Sequence, residues 1–185
     1  MFSPTTLFAM AALTASLAAE DFGPVVKAAG LIYPGRNHFG VVCDYGRSLA
    51  MVADLQRALP EGSVLTVVDA HHPSQVERAG NIILQRRVQM LALLPKDALV
   101  FDGSPFATNL VANLHRTIPA FGTTPAALKN GCVMAMGQAT NWELLFNRKL
   151  IDLDLKKGVI EDITITPWTN GGKGGPAVLD LVFAY

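Results

Sequence analysis

The side chains able to do chemistry fall into four short clusters, each following an apolar run. Asp44, Tyr45, Arg47 and Ser48 follow GVVC; Asp69, His71 and His72 follow VLTVV; Asp102 and Ser104 follow ALVF; Thr123 and Thr124 follow IPAF and a glycine. Arg47 offers a planar fork of donors, Tyr45 an aromatic face, Ser48 and Ser104 hydroxyls, and Asp102 an acceptor for an amine or hydroxyl. With the amide-rich starts of two helices beside them, these groups suit a small polar or anionic solute. The candidate ligand-binding residues are therefore Tyr45, Arg47, Ser48, Asp102, Ser104 and Thr123. The competing structural reading makes Ser104 and Thr124 helix caps, and Asp44 and Asp102 closers of turns.

The motifs of covalent and metal chemistry are missing. There is no G-x-S-x-G elbow, no H-E-x-x-H and no G-x-G-x-x-G after a strand, and GGKGGP from Gly171 lacks the spacing of a phosphate loop. His71 and His72 invite a metal reading with Asp69. Adjacent histidines on a strand point to opposite faces, however, and no third histidine lies nearby in sequence, so a surface loop is expected there. Asp44, Asp102 and Thr123 lie where a receiver-type phosphoacceptor site would have them, but Gly137 and Gln138 stand where its lysine belongs. No catalytic residue, metal or cofactor is expected, and the chain reads as a binding protein rather than an enzyme.

The elements that must position these clusters are strands and amphipathic helices in alternation, the signal of a parallel sheet covered on both faces. Strands are expected at Gly40 to Cys43, Val64 to Val68, Ala98 to Phe101, Ile118 to Phe121 and Cys132 to Met136. Helices are expected around Leu49, Val52, Leu55 and Leu59, from Ser74 to about Leu93 behind an S-x-x-E capping box, from Pro105 to Arg116, and from Pro125 to Asn130. The fold class is α/β: one doubly wound, mostly parallel five-stranded sheet of order 2-1-3-4-5. That order reverses between strands one and three, and the reversal sets Tyr45, Arg47 and Ser48 across a crevice from Asp102 and Ser104. Trp142 to Leu153 fits a helix capped by Asn141, although Ile151 to Leu155 alternates as a strand does. Ile163 to Thr166 and Leu179 to Tyr185 predict a two-stranded extension, joined by the glycine-rich stretch between them.

Length and composition agree with one domain. Half of the 185 residues are hydrophobic and 16% are charged, enough apolar surface for a sizeable core. Fifteen basic residues balance fifteen acidic ones, which argues against nucleic acid as a partner. Residues 1 to 18 read as a secretory signal peptide, uncharged and apolar, with Ser16 and Ala18 placed for a cut before Ala19. The expected arrangement is a single α/β domain over 19 to 185, periplasmic or secreted. Cys43 and Cys132 fall on strands one and five, about 14 Å apart with two strands between them, too far for a disulfide.

The run from Asp102 to Thr124 (DGSPFATNLVANLHRTIPAFGTT), with Ala127 to Gly137 (ALKNGCVMAMG), resembles a pattern of periplasmic substrate-binding proteins of ABC transporters. There a helix leads into an "iPvfg" strand, then a short helix and a "GalaalG" strand; Asn141 to Ile160 is similar to the helix and stop that follow. Those proteins close two lobes on a ligand, and this chain has length for one. The resemblance implies an exported single lobe that binds a small solute, alone or as a homodimer. A weaker likeness, to YfiR-like periplasmic proteins, implies a regulatory module whose partner is an inner-membrane or other envelope protein.

Overall fold

Phe39 to Cys43 are buried without interruption, because both faces of their strand are covered. That strand is the inner member around which the sheet grows. The computed structural model describes residues 21–114, 117–136, 143–147, 159–160, 163–166 and 177–181. Residues 1–18, expected to be a signal peptide, lie outside them, as do His115, Arg116, Trp142, Trp168 and the glycine-rich stretch. Five strands, β1 (His38–Cys43), β2 (Val64–Asp69), β3 (Met90–Ala92), β4 (Ala120–Gly122) and β5 (Met134–Met136), run in parallel in the order 2-1-3-4-5. The sheet then continues antiparallel through β6 (Glu143–Phe146), β7 (Val159–Ile160), β8 (Ile163–Thr166) and β9 (Ala177–Leu181). Here β6 pairs with β5 and β9, and β8 lies between β9 and β7.

Helices α1 (Gly23–Ile32) and α2 (Tyr45–Ala58) cover one face, packing Val25, Val26, Val52 and Leu55 on Phe39, Val41 and Phe121. Helices α3 (Val76–Gln85), α4 (Pro105–Leu114) and α5 (Ala126–Lys129) cover the other, packing Ile83, Leu110 and Ala127 on Val42, Leu91 and Ala120. The rings of Phe39 and Phe121 meet edge to face at 6.2 Å beneath the first layer. Because α2 and α3 lie on opposite faces, the winding reverses between β1 and β3, as the strand order requires.

Several expected elements stand elsewhere. The third strand is β3 at Met90–Ala92, and Ala98 to Phe101 forms a turn that returns to the sheet only through a parallel bridge between Phe101 and Leu94. The reason is an early end to α3. Arg87 has φ 57°, its N–H reaches the Leu84 carbonyl at 3.0 Å, and the Val88 N–H reaches the Ile83 carbonyl at 3.2 Å. This is a Schellman stop with arginine where glycine is usual. The box expected from Ser74 and Glu77 does not cap α3. A 3₁₀ turn, Pro73–Gln75, precedes it, and Gln75 Oε1 accepts the N–H groups of His71 and His72 instead. Glu143–Phe146 is a strand rather than part of a helix, with Leu144 and Phe146 buried on alternate positions; residues 148–158 lie outside the described ones. Leu49 is exposed, so the buried stripe of α2 is Ser48, Val52 and Leu55, with Met51, Ala58 and the expected Leu59 partly buried beside it.

Cys43 and Cys132 are free and buried. Burial, reinforced by Asp97, Asp69 and Asp44, pushes the Cys43 thiol up to about 12; burial and Asp102 raise that of Cys132 well above its ordinary value. Neither thiol should react with maleimide in the native protein at pH 8, and both should react in denaturant without reductant. A mass shift for one label or none in denaturant would contradict the unpaired state. The Schellman stop makes a second forecast. Arg87→Gly relieves a left-handed residue and should change stability by between zero and about +1 kcal/mol, whereas Arg86→Gly should lower it by about 1 kcal/mol. Urea midpoints measure both.

Candidate functional site

The six expected ligand-binding residues divide between two polar centres at the carboxyl edge of the sheet. Tyr45, Arg47 and Ser48 lie together in the first turn of α2, while Asp102, Ser104 and Thr123 belong to the turns that join β3 to α4 and β4 to α5. Between them lies Asp97, which sequence reasoning missed. Its Oδ1 accepts the Asp44 N–H at 3.0 Å and the Ser48 hydroxyl at 2.5 Å; its Oδ2 accepts the Leu99 and Val100 N–H groups, each at 2.9 Å. The carboxylate across the β1–α2 turn is therefore Asp97, not Asp102, and the turn after β3 folds into the place where the strand order reverses. No spacing rule singles out Asp97. Only the true position of β3, eight residues earlier than expected, puts it at a strand end.

The second centre is internal. Asp102 is only 6% exposed, and its Oδ2 accepts the Thr124 N–H at 2.8 Å and the Thr123 N–H at 3.0 Å. Its Oδ1 accepts no hydrogen bond among the described residues and faces the Cα of Gly122, where a Cβ would collide with Ala127 and lie 2.5 Å from that oxygen. Ser104 is a helix cap: its Oγ accepts the Ala107 N–H at 3.1 Å. Asn130, also buried, takes the Gly103 N–H on Oδ1 and donates through Nδ2 to the Ser104 carbonyl and the Thr108 hydroxyl. Asp102 Oδ1 apart, the donors and acceptors of this network serve one another and hold α4 and α5 in place.

The first centre opens to solvent. β1 and β2 pair in parallel with Cys43 opposite Asp69, so Asp44 and His71 both lie just beyond the strand ends. The Asp44 side chain is 13% exposed, that of Asp69 48% and that of His71 53%. His71 Nδ1 lies 3.3 Å from Asp44 Oδ1 and its Nε2 lies 3.0 Å from Asp69 Oδ2. The far oxygens are held too: Asp44 Oδ2 pairs with Arg47 Nε at 3.4 Å, and Asp69 Oδ1 accepts the Tyr45 N–H at 2.9 Å. The third partner that the histidine pair lacked in sequence is thus a carboxylate from the neighbouring strand. His72 stands outside this set: both histidines lie beyond the end of β2, and His72 is the N-cap of the 3₁₀ turn.

No protein-family model matches the chain, and no curated protein matches it. Among the described residues no helix is long and apolar enough to cross a membrane.

Burial pushes the Asp102 carboxyl up to about 6, against the lowering effect of its bonds from Thr124 and Thr123. An ordinary value near 3.8 in the unfolded chain means that the native state holds the extra proton between about pH 4 and 6. The stability this group confers is complete below that window and lost as pH rises through 6, by at most about 3 kcal/mol. Asp102→Asn should abolish that slope, so urea midpoints at pH 4.5 and 7 should differ less than in the parent. An unchanged slope would place the titration on another group.

Proposed function

We propose that the chain is an exported, single-lobe protein of the periplasmic substrate-binding type that holds a small polar or anionic solute at the carboxyl edge of β1 and β2. The observation that carries this reading is the solvent-open set of Asp44, Arg47, Asp69 and His71, whose polar atoms face one another at 3.0 to 3.4 Å. A bound solute exchanges its own groups for these internal pairs: an amine or hydroxyl on the carboxylates, a carboxylate or phosphate on the Arg47 fork. Each exchange replaces one charge-assisted hydrogen bond with another, so little desolvation is left uncompensated. Tyr45, exposed in the same first turn of α2, adds an aromatic side chain to this edge. Ser48 supports this edge from inside, its hydroxyl engaged by Asp97, while Asp102 and Ser104 belong to the internal network toward β4.

A second reading, a YfiR-like module that binds an envelope protein, is favoured by a different surface. Between α3 and α4 runs a groove of about 540 Å³, lined by Gly80, Phe106, the exposed Leu84, Asn81, Asn109 and Asn113. Mixed apolar and amide linings suit a protein surface.

A thermal-shift series with amino acids, small carboxylates and inorganic phosphate tests the first reading. At least one class should raise the melting temperature, and Arg47→Ala should weaken its binding roughly tenfold to a hundredfold. Asp102→Asn should leave affinity unchanged. Solute binding that is indifferent to Arg47, with amide protection on α3 and α4 when an envelope extract is added, would transfer the function to the groove.

A further inference from the structure

We propose that Asp44, Asp69 and His71 bind one divalent transition-metal ion, with Zn²⁺ the best match, at the carboxyl ends of β1 and β2. One ligand atom from each residue lies within 4.8 Å of the other two, a span that a coordination sphere with bonds of about 2.0 to 2.2 Å covers after small side-chain rotations. The orientation of the carboxylates points the same way. Each has one oxygen fixed by the protein, Asp44 Oδ2 by Arg47 and Asp69 Oδ1 by the Tyr45 N–H, and turns its other oxygen toward the same imidazole. Outer contacts of this kind aim the ligands of a metal centre.

Both ring nitrogens face carboxylate oxygens. A doubly protonated ring donates to both, whereas a neutral ring has one N–H and one lone pair and sets that lone pair against an anionic oxygen. A cation bound to that nitrogen and to both carboxylates removes the conflict while the ring stays neutral, and the half-exposed ring can turn to aim one nitrogen at both oxygens. These four side chains include two carboxylates and one guanidinium, which pairs with Asp44, so with a neutral imidazole the set carries net negative charge that a cation balances. One nitrogen with two carboxylate oxygens matches zinc and its transition-metal neighbours. Calcium and magnesium prefer oxygen ligands alone. Three protein ligands at a half-open edge leave coordination positions for water or for an anionic solute, which Arg47 can hold from its other end.

The proposal rests on the solute-binding reading only for what fills the open positions. Isothermal titration of the full, metal-free chain with ZnCl₂ and with MgCl₂ tests it. One Zn²⁺ should bind per chain and Mg²⁺ should give no saturable heat. His71→Ala and Asp69→Asn should each weaken Zn²⁺ binding by more than the roughly tenfold to hundredfold lost with an outer-shell partner, whereas His72→Ala should bind as the parent does. Because His71 and Asp69 are half exposed, circular dichroism of both variants should match the parent. Absence of saturable Zn²⁺ binding, or parental binding in His71→Ala, overturns the metal site. Should Zn²⁺ fail to bind while a solute binds equally with and without EDTA, the metal site falls and the solute reading stands; saturable Zn²⁺ binding with no effect of any solute leaves the metal site and removes the solute reading.

Discussion

The carboxylate of Asp97 decides what kind of surface this fold presents. A doubly wound sheet opens a crevice where its winding reverses, because the turns after the two central strands diverge to opposite faces. Here those turns are joined: one oxygen of Asp97 binds the β1–α2 turn through the Asp44 N–H and the Ser48 hydroxyl, and the other organises its own turn through Leu99 and Val100. A carboxylate taking four hydrogen bonds is well compensated for its loss of water. The same bonds occupy the amide and hydroxyl that would otherwise meet a ligand at the switch point. Whatever this protein binds at its carboxyl edge must meet it on either side of that clamp.

The two sides differ in kind. Toward β4, Asp102, Thr123, Thr124, Ser104 and Asn130 form a closed network with Asp102 and Ser104 almost wholly buried. Gly122 is required there, because any side chain would strike Ala127 and Asp102. Such a network fixes how α4 and α5 sit on the sheet, and its one uncompensated oxygen is a cost in stability rather than a docking point. Toward β2, Asp69 and His71 are half exposed, and their charges and those of Asp44 and Arg47 are paired with one another at the surface rather than enclosed. Exchangeable pairing at an open edge, and not the mere presence of a carboxylate, separates a binding surface from a structural one.

Apolar runs made the sheet readable. GVVC and VLTVV, and in part IPAF and CVMAM, marked four of the five parallel strands because each is a short apolar run bounded by turn residues, buried throughout in β1, β4 and β5 and only partly in the edge strand β2. The order 2-1-3-4-5 followed from alternation with helices. The third strand was misplaced for a definite reason: α3 ends on Arg87 in a left-handed conformation, and a stop without glycine carries no sequence mark. Met90, Leu91 and Ala92 then read as the continuation of a helix, and ALVF as the strand. That one displacement hid Asp97 and put Asp102 in its place. In β6, Leu144 and Phe146 alternate in a strand too short for periodicity to tell it from a helical stripe, and α1 precedes the first clear strand without charged ends to mark its first or last turn.

The pairing of His71 with Asp44 was hidden by distance along the chain rather than by chemistry. A histidine two residues past a strand end finds its partners in three dimensions through strand register, and in a parallel pair the residues just beyond both ends lie side by side. With Cys43 opposite Asp69, and the Ala70 N–H bonded to the Cys43 carbonyl at 2.9 Å, the chain is held in register one residue past the strands. The next positions, Asp44 on one strand and His71 on the other, are the first released from the ladder and the first whose side chains can turn toward each other. Gln75 then fixes the His71 backbone by accepting its N–H at 2.7 Å. The same arithmetic applies to any parallel pair: polar residues one and two places beyond matched strand ends form a common edge, whatever their separation in sequence. Once the reversal between β1 and β3 is closed by Asp97, the β1–β2 edge is where the carboxyl end of this sheet still offers unshielded, oppositely charged groups, and its chemistry is set by Asp44, Arg47, Asp69 and His71.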